Sequence, residues 1–220
     1  MASVMQQALL ADGVSVDKAS PSVVQRQSGA GSARATSFSP TWSAAVAGNL
    51  LVLELGVENN GAAPSTPAGW TLAHTSVANG SGIRLSTFYM TAAGGETGVT
   101  ISQGSNAWSW IMREISGANT TPVWGTAATG TSASPDPPSV SPGSAGAYLT
   151  IAGTAYVTTT TSAYSSGYSN GLTASATGSN LVRAASAEKQ SQIVTSEDPG
   201  AMTIGASATW VAYTWTVGNI

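Results

Sequence analysis

Cysteine is absent from the chain, which excludes both a disulfide framework and a thiolate metal site. Histidine occurs once, at His74, so a multi-histidine metal centre is excluded and a serine triad would have a single possible base. No Gly-x-Ser-x-Gly elbow accompanies it. Charge is also scarce. Only 8% of the residues are Asp, Glu, Lys or Arg, against about a quarter in an ordinary soluble domain. The seven Lys and Arg residues are scattered and the net charge is −3, so no basic stripe is available for phosphates and no nucleic-acid partner is expected. No stretch approaches the roughly 18 to 20 apolar residues that span a bilayer, and Met1 to Asp12 lacks the basic start and long apolar run of a signal peptide. The expectation is a protein made in a cytoplasm, without membrane insertion.

What replaces charge is Ser, Thr, Gly and Ala. Solubility then rests on hydroxyls and backbone rather than ions. Such a surface repels its neighbours weakly and costs little to desolvate, which suits stable association.

The strongest pattern lies between Gly48 and Met90. Leu51, Leu53, Leu55 and Val57 share one parity, and Leu50, Val52, Glu54 and Gly56 the other. Apolar residues on both faces predict a central strand covered on both sides. Ile83 to Met90 reads the same way, and Asn79-Gly80-Ser81-Gly82 before it has hairpin-turn chemistry. Further strands are predicted at 98–101, at 106–115 (Trp108, Trp110 and Met112 against Ile111, Arg113 and Ile115), at 147–157, at 181–187, at 192–195 and at 207–217. Residues 117–144, with Ser134-Pro135-Asp136-Pro137-Pro138, read as loop or edge, and 158–180 as a long excursion. Residues 1–33 read as an extended N-terminal arm, and 34–220 as one all-β, jelly-roll-like antiparallel β-sandwich. The residues expected in its core are Leu51, Leu53, Leu55, Leu85, Trp108, Ile151 and Val211. No period of a repeat protein is present.

Candidate chemistry is thin. Glu54 and Glu114 are the only carboxylate pair suited to glycoside hydrolysis, which needs two carboxyl groups about 5 to 10 Å apart. Salt bridges to Arg84 or Arg113 explain them more simply. Asp12 with Asp17, or Glu197 with Asp198, could share a calcium ion, but neither set matches a calcium loop. No catalytic residue, metal site or cofactor is therefore expected. Among the seven tryptophans and six tyrosines, Trp124, Tyr164 and Tyr168 fall on predicted loops. These three are the candidate ligand or subunit contacts, since exposed rings there can stack on a glycan.

The succession Gly48-Asn49-Leu50-Leu51-Val52, Pro67-Ala68-Gly69-Trp70-Thr71, Leu85-Ser86-Thr87-Phe88-Tyr89, Gly94-Gly95-Glu96-Thr97 and Glu114-Ile115-Ser116-Gly117 resembles the jelly-roll β-sandwich domains of tailed-bacteriophage structural proteins. The resemblance covers roughly residues 34–217. It implies a non-enzymatic protein on the exterior of a virion, with a capsid-decorating or cement protein favoured because no shaft or collagen-like repeat is present. A tail or receptor-binding component and a carbohydrate-binding, lectin-like module are the alternatives. The partners it implies are other copies of the chain, expected as a homotrimer, the major capsid or tail proteins of the particle, and a possible host-surface glycan.

Overall fold

The computed structural model describes residues 20–31, 33–73, 76–157, 160–177, 181–193 and 195–219. The first half of the chain carries β1 (Ser22–Ala30), β2 (Ala35–Phe38), β3 (Leu50–Glu58), β4 (Thr71–Leu72), β5 (Val77–Asn79), β6 (Ile83–Thr91), β7 (Ile101–Asn106) and β8 (Trp108–Ser116). The second half carries β9 (Val123–Trp124), β10 (Ala128–Ser132), β11 (Gly146–Val157), β12 (Thr161–Ala163), β13 (Ser169–Ser175), β14 (Val182–Ile193), β15 (Thr203–Ile204) and β16 (Ala208–Gly218). The protein is all-β. Two six-stranded antiparallel sheets pack face to face, one ordered β1-β8-β3-β6-β4 with β5 also on β6, the other β10-β16-β11-β14-β13 with β9 also on β16.

The parity of β3 places its side chains as its sequence requires. Leu50 and Val52 join Leu85, Leu149, Ile151, Val211 and Trp215 in the core between the sheets. Leu51, Leu53, Leu55 and Val57 point the other way, into a second core with Phe38, Trp42, Ile101 and Met112. The small β2–β7 sheet and its flanking loops cover that outer face. The second sheet has a matching cover, where Met202 and Ile204 lie over Tyr156, Trp210 and Ala212. The molecule therefore has four layers, and β3 is buried along almost its whole length.

Each extended sheet is drawn from one half of the chain, and the two halves share a strand order. Numbering the main strands of each half one to five, both sheets run one-five-two-four-three. The loops after the first strand and before the last also pair alike: Thr41 bridges Gly98 in one half, and Val140 bridges Glu197 in the other. A shared packing device fixes the register. Gly29 faces Trp110 across β1–β8, and Gly130 faces Trp210 across β10–β16. In each case the indole lies over the glycine, where an added Cβ would stand 2.8 and 2.4 Å from its Cζ2.

Several expectations need correction. Ser22–Ala30, within the stretch read as an arm that pairs with its own sandwich or a neighbour, does pair with its own sandwich, but as the integral outer strand of the first sheet; residues 1–19 lie outside the described residues. The strand expected at 98–101 starts at Ile101 and runs on to Asn106. Residues 117–144, read as loop or edge, carry the edge strand β10 and the short β9 as that reading allows, whereas 158–180, read as an excursion, contains β12 and β13, because polar Ser/Thr/Gly segments suffice for edge strands whose outer side faces water. Glu188 and Lys189 do not divide a strand. They lie inside the continuous β14, because Glu188 finds cationic partners. Trp108 is half-buried rather than core, stacked on Phe38 with ring centroids 4.3 Å apart. Leu51, Leu53, Leu55, Leu85, Ile151 and Val211 are buried as expected.

Two substitutions test this packing by chemical denaturation. Leu53→Ala should cost about 2 to 5 kcal/mol through the cavity it leaves. Gly130→Ala should cost about 1 to 3 kcal/mol by overpacking against Trp210, and a neutral result would show that the indole is not held over the strand.

Candidate functional site

The charged residues that interrupt apolar strands meet between the sheets. Glu54 on β3 and Arg113 on β8 both face inward, and each is 1% exposed. Arg113 Nη1 donates to Glu54 Oε2 at 2.8 Å and to Ser186 Oγ at 2.9 Å. Ser186 Oγ on β14 in turn donates a hydrogen bond to Glu54 Oε2 at 2.8 Å, and Trp215 Nε1 on β16 donates to Glu54 Oε1 at 2.8 Å. One carboxylate of the first sheet is thereby bonded to two strands of the second. Tyr213 stands beside this group, fully buried. Burial first, and then the neighbouring Glu54 charge, push its hydroxyl well above the usual tyrosine range, so it stays protonated.

The network continues outward. Arg113 Nε lies 3.7 Å from Glu188 Oε2. Glu188, 6% exposed, accepts from Arg26 Nε at 3.2 Å and pairs with Arg26 Nη2 through its other oxygen. That second oxygen also accepts from Asn170 Nδ2. Glu54, Arg113, Glu188 and Arg26 alternate in sign, so charges that would be prohibitive singly cancel along the chain. The line ends at a cleft of about 270 Å3 bordered by Ser22, Arg26, Ser169, Asn170, Glu188 and Gln190, where β1 of one sheet meets β13 and β14 of the other. A bulge in β13 between Ser169 and Leu172 turns Asn170 toward Glu188, with φ of 50°.

The carboxylates considered for hydrolysis do not share a cleft. Glu54 points between the sheets, whereas Glu114 has the opposite parity and faces the loops over the first sheet. There it accepts from the Val46 amide at 2.8 Å and from Asn49 Nδ2 at 2.5 Å, and pairs with Gln25 Nε2. Of the two arginines weighed as partners, Arg113 takes Glu54, while Arg84 donates to Asn59 Oδ1. Among the described residues no group of three His, Cys, Asp or Glu could hold a metal ion. Glu197 is occupied by Lys189 Nζ at 2.7 Å, and His74, Asp12 and Asp17 lie outside the described residues.

The three candidate aromatic contacts are not brought together. Trp124 pairs across β9–β16 with Trp215 and bridges it to Tyr89, with ring centroids 5.5 and 6.0 Å away. Tyr164 lies against Gly171 on β13, at the far edge of the same sheet, and its hydroxyl bonds Thr173 at 2.8 Å. Tyr168 donates to Glu197 at 3.2 Å beneath Lys189 Nζ. All three are half-buried and engaged by separate neighbours, Trp124 between the two sheets and Tyr164 and Tyr168 beside the second, so they form no common stacking platform. The cleft residues went unnoticed in the sequence. Their one signal is Glu188, a charge that directly follows the run of small residues Ala184-Ala185-Ser186-Ala187.

Glu54→Gln should cost about 3 to 5 kcal/mol in chemical denaturation, because it leaves the buried Arg113 guanidinium without its counter-charge. Glu114 gives a pH prediction. Burial raises its carboxyl, but the donors from Gln25, Val46 and Asn49 outweigh this and hold it below the ordinary 4.5. A depressed folded value means stability that is complete above the unfolded value and is lost as pH falls through the folded one. Glu114→Gln should therefore flatten the acid limb of the stability curve; an unchanged limb would contradict the assignment.

Compared with protein-family models, with curated proteins and with solved structures, the chain has no match.

Proposed function

We propose that the chain is a non-enzymatic structural protein on the exterior of a tailed-bacteriophage particle, made in the host cytoplasm and acting as a capsid-decorating protein. A tail or receptor-binding component is the nearest alternative. The observation that carries the reading is where the charge goes. Arg26, Arg34, Arg113 and Lys189 pair with Glu188, Glu58, Glu54 and Glu197. Arg183 donates to Ser175, while Glu96 accepts from backbone amides. Among the described residues most of the ions are thus committed within the molecule, with Asp136 and Asp198 exposed, and the rest of the surface is largely hydroxyls and backbone. Val24 and Val46 are the exposed large apolar side chains among the described residues. A surface with little charge and little grease fits close apposition to a shell of repeating neighbours better than it fits long-range recognition.

A homotrimer remains the assembly proposed; its ring would close through head-to-tail contact between two different, mutually complementary sides of each copy. The jelly-roll form of the sandwich would have strands alternate between sheets. Here the chain crosses between the extended sheets once, after β8, so the label is kept only for the face-to-face packing of the two extended sheets. The N-terminal arm, residues 1–33, is proposed as the anchor to the particle, and the deletion that tests it is limited to residues 1–19, since removing residues 1–33 would also strip β1 and Arg26 from the sandwich.

Imaging of the native particle tests the assignment: many copies spread over the shell are expected, and a few copies at one vertex would favour the tail. Deleting residues 1–19 should leave denaturation unchanged and abolish incorporation. Incorporation equal to that of the full chain would refute the anchor.

A further inference from the structure

We infer that the cleft between β1 and β13 binds a neutral polyhydroxylated ligand, a hexose unit or a short chain of such units. This does not depend on the particle role proposed above. The floor of the cleft is polar yet balanced in charge: Arg26 and Glu188 engage each other through both carboxylate oxygens, and Arg113 and Glu54 cancel behind them. A phosphate would meet the Glu188 carboxylate beside any guanidinium it approached, and a metal ion would meet the guanidinium beside its one carboxylate.

The hydrogen-bonding capacity left over is mixed. Among the described residues Arg26 Nη1 has no acceptor, and Asn170 and Gln190 spend their amide nitrogens on Glu188 and on the Pro21 carbonyl, leaving both amide oxygens without a donor. An anion needs donors only and a cation acceptors only, whereas a hydroxyl gives and takes at once. Rows of vicinal hydroxyls match a border of guanidinium, two amides and the serines Ser22 and Ser169. Val23 and Leu149 add a small apolar wall for a C–H face.

Two further features belong to a built site. Asn170 is the one non-glycine with positive φ among the described residues, held there by the bulge and its bond to Glu188. Gln190 also borders a second, shallower cleft of about 250 Å3 with Ser20, Tyr148 and Gln192. Gln190 borders both clefts, which is the reason for including a short chain of units that extends from one to the other.

The test is titration of the 15N-labelled full chain with glucose, galactose and N-acetylglucosamine in turn, and with inorganic phosphate as the anionic probe. Saturable shifts of the Asn170 and Gln190 side-chain amide resonances are expected with at least one sugar, with phosphate moving neither. Asn170→Gly retains the positive φ and removes the amide, so it should weaken binding at least about tenfold while the spectrum stays dispersed. Should that variant lose its dispersed spectrum, Ser22→Ala, outside the ion network, is read instead and should weaken binding in the same direction. No saturable shift with any of the three sugars, an equal response to phosphate, or a folded variant that titrates like the parent overturns the proposal. Particle incorporation of Asn170→Gly should be unchanged, which separates failure of this site from failure of the structural role.

Discussion

The carboxylate of Glu54 is the point on which the two sheets depend. It is taken out of water almost completely, and its acceptor sites are met by a guanidinium from its own sheet and by a hydroxyl and an indole from the other. The hydrophobic drive is non-directional, so burial of apolar area does not by itself name which groups must meet across the sheets. A buried ion with directional donors does, since any slip leaves a desolvated charge without a partner. The sandwich is thus registered by one group. The same network, followed outward through Glu188 to Arg26, ties the first strand of one sheet to an inner strand of the other.

The cost of that arrangement is a surface with few ions. Ser/Thr/Gly edge strands supply solubility and also explain why the second half of the chain looks featureless in sequence between its three long strands. The outer faces of both sheets carry tryptophans laid over glycines of a neighbouring strand. These contacts sit at equivalent places in the two halves. With the common strand order they make the molecule two variants of one five-stranded plan, packed face to face. The inner faces differ sharply, with Arg113 in one last strand and Tyr213 at the matching distance from Trp210 in the other, so the ion network belongs to the pair and not to the plan.

The sequence by itself determined the faces. The two-residue period of a strand is local, and so the opposed sides of β3, β8 and β16 could be read directly, as could the Asn79–Gly82 turn and the exclusions that follow from absent cysteine and a single histidine. Only the tertiary structure decided which strands are neighbours. Arg26 and Glu188 are 162 residues apart, and no local period encodes such a distance. For the same reason Glu54 and Glu114 looked like a possible pair until pairing put them on opposite sides of one sheet. Likewise Glu188 looked like an interruption until β14 carried it against two arginines. The cleft beside it arises where the edges of two sheets meet, a place with no sequence neighbourhood of its own.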